Sequence, residues 1–348
     1  MNRQDELENC SFAKTVLMLS IIFYHSMIFW RGGWTVLPIE PLEQSNILKW
    51  MTLWLGGFQN YSFVFIAGYI FYYTMFEKKS YPTFNDLIKK KFCRLIIPFL
   101  FVGIVWVIPI SVVILRKNIK KTVFDYFTVI ESGQLWFLVM LFFLFMIFGV
   151  LKKFFFHYNL LGFIFVSLLY CIRIVGSSYI PGYFTIWNVC KYSFIFWLGY
   201  KTRQYPMQIL RKIPSVIYIV LYSVVLYFGQ RIVFDNLFIQ KIYTIGTDFL
   251  MHTIGAIMGS MVLIRIGNRI EWKSSHLFMV LASSSMIMFL IHQQIIYFTL
   301  LLLNGLISPV MNVLVNFCIS LVISFIISVL IKKNRTISFL VGEKFGRV

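Results

Sequence analysis

Apolar residues along this chain fall into windows of about 17 to 25, separated by short polar stretches, which is the length a helix needs to cross a bilayer. The windows predict about ten membrane helices, at about 15–30, 51–76, 95–115, 135–151, 158–175, 186–200, 213–229, 249–264, 277–303 and 311–331. The second window is interrupted by Gln59, Asn60 and Ser62 and by Gly68, a residue placed where another helix can approach closely. Lys152 and Lys153 end the fourth, and a short turn around Gly176 to Gly182 joins the fifth to the sixth. The fold class expected is an all-α integral membrane protein, with residues 1–348 forming a single membrane-embedded domain that ends in a short basic tail.

Composition agrees with that pattern. Of 348 residues 59% are hydrophobic and only 13% charged, against about a quarter charged in soluble domains. The formal charge of +19 comes from 32 basic and 13 acidic residues. The basic residues lie dispersed between the apolar windows, which fits the positive-inside rule and argues against a nucleic-acid partner. An even number of crossings puts both termini on one side. Lys78, Lys79, Lys89, Lys90, Lys201, Arg203, Arg211, Lys212, Arg265, Lys332, Lys344 and Arg347 then share that side, which predicts that both termini are cytoplasmic. The Arg116–Lys121 cluster falls on the opposite side and calls for another reason, such as contact with an anionic substrate or lipid. Five cysteines show no close pairing, so disulfide or metal chemistry is not expected. The first window lacks a small-residue cleavage site and reads as a retained helix.

In so apolar a chain each polar residue at membrane depth is informative. His25 stands eleven positions after Lys14, or roughly 16 Å along a helix, which predicts a place near the bilayer centre. Two readings are open for it: a functional ionisable group, or an interhelical hydrogen bond. Lys91 and Arg94 lie three apart on one helical face just before Pro98. They suit a phosphate-bearing ligand or a plain interfacial anchor. Glu131 and Gln134 lie at the entrance of the fourth helix. His292, with Gln293 and Gln294, lies deep in the ninth, after Ser283, Ser284 and Ser285. Asp248 and His252, four apart, form a candidate acid–imidazole pair on one face. No phosphate-cradling glycine motif, zinc-binding helix or nucleophile elbow is present, and no metal is expected.

Five motifs, in order, resemble the acyltransferase-3 family of integral-membrane acyltransferases, which acylate surface polysaccharides and related acceptors. The first is Lys14 followed by His25. The second is SFVFIAGY, with Ala67 where serine is usual. The third is KFCRLIIP, with Lys91 in place of an arginine and with Arg94 and Pro98 retained. The fourth is GQLWFL, containing Gln134, and the last is SMIMFLIHQ, containing Ser285, Phe289 and His292. The resemblance spans about Asn9 to His292. Ser11 stands where many members carry an acidic residue, which leaves the acid partner of His25 unidentified.

The resemblance implies a stand-alone O-acyltransferase in a bacterial cell membrane. It implies acetyl-CoA as donor substrate, with no permanently bound cofactor, and a surface polysaccharide or lipid-linked glycan as acceptor. His25 is the implied general base or acyl carrier, with Glu131 and His292 as orienting candidates. Lys14, Lys91 and Arg94 are the implied holders of the CoA phosphates. The contrasting expectation is a transporter of polysaccharide or its lipid-linked precursor, for which scattered polar residues in ten helices serve equally well. A third expectation is a non-catalytic scaffold in glycan assembly.

Overall fold

The computed structural model describes residues 3–205 and 212–343; Arg211, Lys344 and Arg347 of the cation count lie outside them. The described residues are helical, and no strand occurs among them. Among the described residues seven helical stretches are long and apolar enough to cross a membrane: Glu6–Arg31, Phe84–Val113, Gly133–Val150, Asn159–Gly176, Leu237–Arg269, His276–Leu303 and Pro309–Lys332.

The three other expected crossings form helices but do not reach that measure. The window at 51–76 is two helices, α2 (Asn46–Gly56) and α3 (Gln59–Tyr72). They break at Gly56 and Gly57, ahead of the polar group that was expected to interrupt them. Helix α3 starts at Gln59 and continues past Ser62, both of which are buried and partnered. Gln59 Oε1 accepts from Ser20 Oγ at 3.3 Å, and Ser62 Oγ donates to the Gly255 carbonyl at 3.2 Å. The other two are Ile186–Gln204, which carries Lys191, Lys201 and Arg203, and the 17-residue Ser215–Arg231.

The helices used below are, in chain order, α1 (Arg3–Met27), α2, α3, α4 (Phe84–Val113), α5 (Ile119–Phe127), α6 (Trp136–Val150), α7 (Lys152–His157), α8 (Asn159–Gly176), α9 (Ile186–Gln204), α10 (Ser215–Arg231), α11 (Leu237–Arg269), α12 (His276–Leu303) and α13 (Pro309–Lys332). Helix α4 starts earlier than its apolar run, at a capping box made by Thr83 and Asp86. It passes through π-helical turns at Phe92–Ile96 and Gly103–Val107, each close to a proline, Pro98 or Pro109. Proline removes an i→i−4 bond, and a π turn absorbs the mismatch without ending the helix. Lys91 and Arg94 therefore lie inside a continuous helix.

Helix α1 runs through the centre of the bundle and touches α2, α3, α11, α12 and α13. Helix α3 crosses α9 in backbone contact. A Cβ added to Gly68 would lie 2.1 Å from the Phe196 carbonyl oxygen, and one on Gly199 would lie 2.0 Å from that of Phe65. The close approach expected at Gly68 is made, with a second glycine opposite. Large rings fill the space around this crossing: Phe65, Phe71, Phe148, Phe155, Phe196 and Tyr200 are each at most 1% exposed. The outer faces of α8 and α13 carry exposed Leu160, Leu161, Val175, Val322, Ile326 and Leu330, a surface suited to lipid.

Candidate functional site

His25 and His292, 267 positions apart, meet where α1 packs on α12, with His25 Nδ1 2.8 Å from His292 Nε2. Their rings are nearly parallel, 5.0 Å between centroids. The network around them assigns the protons. His292 Nδ1 lies 2.8 Å from the Phe289 carbonyl oxygen and 3.2 Å from that of Met288. Carbonyls only accept, so Nδ1 is the protonated nitrogen of His292 and its Nε2 is an acceptor. His25 Nδ1–H must then donate to it, which leaves the lone pair on His25 Nε2. His292 is fully buried whereas His25 is partly exposed. The reachable nitrogen is thus a neutral imidazole lone pair whose orientation a second ring fixes.

His25 lies in the last turn of α1 and not at its middle. Helix α1 begins at Arg3, well before the apolar run. The loop beyond it, residues 32–45, brings Trp34 against the pair. Trp34 stacks on His25 at 5.7 Å and meets Tyr297 edge-on at 4.9 Å. Tyr297 hydroxyl accepts from Gln293 Nε2. Gln293 Oε1 and the nearby Ser132 Oγ are buried without a hydrogen-bond partner among the described residues. Gln134 Nε2 donates to the Leu290 carbonyl at 2.6 Å and to Gln294 Oε1 at 3.2 Å, tying the start of α6 to α12 beside the histidines.

Glu131 is not hydrogen-bonded to either histidine; its carboxylate pairs with Lys117 and is partly exposed. That pair accounts for one cation of the Arg116–Lys121 cluster by a protein partner. The Asp248–His252 pair also does not form. His252 instead stacks on Tyr61 at 4.0 Å.

The candidate phosphate-binding cations lie toward the opposite end of the bundle. Lys91 Nζ sits 3.4 Å from the Phe145 ring centroid and 5.7 Å from that of Tyr81. Arg94 is exposed. With Lys332 it flanks Glu343, whose carboxyl is raised by burial and held back by the two cations. Lys332 Nζ also donates to Ser283 Oγ at 2.7 Å and Ser284 Oγ at 3.0 Å. Ser284 lies eight residues before His292 on α12, or about 12 Å along it. One helix therefore joins the cationic mouth to the histidine pair. Lys14 is half-buried on α1 and lies roughly 16 Å along that helix from His25.

Two cations counted toward the positive-inside bias are structural. Arg203 holds Glu77 through Nε at 2.8 Å and Nη2 at 2.6 Å, and donates to Tyr69 hydroxyl at 3.0 Å. Tyr69 in turn donates to Glu6 at 2.5 Å. Lys201 caps the Phe155 carbonyl, Asn159 and Gln204, each at 2.6 Å. Sequence reasoning missed Trp34 and Gln293 as site residues. The only signals were a tryptophan directly after two glycines and a glutamine beside a deep histidine.

Among the described residues no group of His, Cys, Asp or Glu is arranged to hold a metal. A family model described as an acyltransferase domain matches residues 10–333. No curated protein and no solved structure matches the chain.

Proposed function

From the premise that this chain belongs to the acyltransferase-3 family and is a membrane acyltransferase, we propose that it moves an acetyl group from acetyl-CoA to a hydroxyl of a cell-surface or lipid-linked polysaccharide, with His25 as the base. The observation that carries this reading is the relay from His25 Nδ1 through His292 Nε2 to the Phe289 carbonyl. It leaves the one reachable imidazole nitrogen unprotonated and fixed in direction.

In the reaction the acceptor hydroxyl gives its proton to His25 Nε2 as its oxygen attacks the thioester carbonyl. The ester C–O bond forms, the C–S bond breaks, and His25 returns the proton to the departing CoA sulfur. The positive charge that develops on His25 is shared with His292, because the Nδ1–H donates to a ring whose own proton is held by a carbonyl. Arg94, Lys91 and Lys14 hold the CoA phosphates at the cytoplasmic mouth, and the pantetheine arm runs beside α12 toward the histidines. Glu131 acts at the rim of the acceptor entrance, where its pairing with Lys117 sets the local charge. Ten crossings with both termini in the cytoplasm, a single domain over 1–348 and a bacterial inner-membrane location complete the reading. The cations of the inner loops support that orientation.

The test is transfer of labelled acetyl from acetyl-CoA to surface glycan, together with total surface glycan, in wild type and His25→Ala at matched protein level. Loss of label with glycan amount unchanged supports the transferase. Loss of the glycan itself would point to transport, and unchanged label in His25→Ala would remove His25 from the chemistry.

A further inference from the structure

On the same side of the bundle as the histidine pair, a second polar cluster has no part in the relay. Tyr61 of α3 lies between Tyr192 of α9, at 4.7 Å, and His252 of α11, at 4.0 Å, in a near-parallel stack of three rings. Two cations border it. Lys191 Nζ stands 5.2 Å from the Tyr61 ring centroid, and the Arg173 guanidinium lies 5.8 Å from that of Tyr170. Asp248 is the one carboxylate in electrostatic reach of both, and neither cation forms an ion pair with it among the described residues. Thr253 Oγ1 is buried without a hydrogen-bond partner among those residues.

The stack is continuous with the candidate active site. Tyr192 is 5.9 Å from Trp136, and Tyr24, the neighbour of His25, is in reach of Tyr192 and 5.3 Å from the His25 ring. Two cations against one carboxylate leave a net positive charge in a partly dry site, where charge pairing is strong. The unpartnered Thr253 hydroxyl, next to His252 in the chain, can meet a polar group of an anionic ligand.

We propose that Lys191 and Arg173, both partly exposed beside this stack, form an anion-binding subsite for the acceptor, so that the acceptor is an acidic saccharide whose carboxylate or phosphate docks there. The inference rests on the reading of the chain as a transferase to a glycan. It is tested by binding without donor, so the two can fail separately.

The experiment uses the full chain purified in detergent and measures equilibrium binding of three probes. These are an oligohexuronic acid, its carboxyl-reduced neutral counterpart, and an oligomer of glycerol phosphate. The expected result is that one acidic probe binds at least tenfold more tightly than the neutral one, and which of them does so identifies the anion. Lys191→Met with Arg173→Gln should abolish that preference. Asp248→Asn should strengthen it severalfold, a gain that misfolding does not mimic. Equal binding of acidic and neutral probes would overturn the proposal, as would an unchanged preference in the double variant. Saturation by phosphatidylglycerol micelles with no preference among the saccharides would mark a lipid contact and overturn it too. Acetyl-CoA binding, measured on the same preparation, reports separately on the transferase reading.

Discussion

His292 acts on His25 through one hydrogen bond of 2.8 Å, and its own proton is fixed by the Phe289 carbonyl 2.8 Å away. Removing the acceptor at 292 leaves the Nδ1–H of His25 without a partner and lets the ring turn or change tautomer. His292→Phe should therefore lower kcat by about 10²-fold while leaving KM for acetyl-CoA within about twofold, since general-base contributions are of order 10²–10⁴. His292→Gln keeps a carbonyl that can accept from His25 and should retain several times more activity than His292→Phe. His25→Ala should lose the full factor. Steady-state transfer of labelled acetyl by the three variants checks this. Equal losses at 292 for Phe and Gln would mean that the hydrogen bond does not orient His25.

Both histidines were visible in the sequence, because an imidazole in a run of Leu, Ile and Phe is costly to bury unless it serves chemistry or an interhelical hydrogen bond. Their meeting was not. The residues are 267 positions apart, and helical periodicity says which residues share a face but not which helix that face meets. Trp34 was hidden by its place in a glycine-bearing loop, where an aromatic reads as an interface anchor. Glu131 looked available at a helix entrance until Lys117 was found against it. The apolar windows gave helices throughout, yet the split at Gly56 and the long start of α4 depended on caps and on polar residues being partnered. Hydropathy does not see either.

Gly68 and Gly199 let α3 and α9 touch backbone to backbone, and no side-chain motion can relieve a clash with a carbonyl oxygen. Gly199→Leu should destabilise the bundle by about 3 kcal/mol or prevent its assembly, the upper range for overpacking. Gly68→Ala should cost less, about 1–2 kcal/mol, by pushing the helices apart. Thermal unfolding in detergent, followed by loss of the monodisperse peak, measures both. The opposite expectation holds for Gly246, where an added Cβ meets nothing within 4 Å. There alanine should be neutral or slightly stabilising.

Arg203 is buried with only 3% of its side chain exposed, and its charge is matched by Glu77. Breaking a buried pair strands the remaining charge, at a cost of about 3–5 kcal/mol in well-enclosed cases. Because the Glu77 side chain is 31% exposed, water relieves part of that cost, and Glu77→Gln should destabilise by about 1–2 kcal/mol. Arg203→Met leaves Glu77 and the Tyr69–Glu6 pair without their donor and should cost more. Combining the two substitutions should cost less than the sum of the singles, since neither charge is then left alone. A double-mutant cycle on unfolding temperature reads the coupling directly.

Lys91 and Arg94 share a helical face, but their surroundings separate them. The Lys91 ammonium is already placed over the Phe145 ring at 3.4 Å, a contact that a ligand phosphate would have to compete with or draw it from. Arg94 is exposed, and its guanidinium can grip a phosphate in bidentate fashion. Arg94→Gln should therefore weaken acetyl-CoA binding by about tenfold, consistent with loss of a charge-assisted hydrogen bond of about 1.5 kcal/mol. Lys91→Met should weaken it by about threefold or less, and should instead lower the unfolding temperature through the lost ring contact. Arg94→Lys should fall between, because it keeps the charge and loses the fork. Calorimetric titration of each purified variant with acetyl-CoA gives the ranking. Should Lys91→Met prove the more damaging to affinity, the ammonium must leave Phe145 when the donor binds, and the resting contact would be a state that the nucleotide displaces.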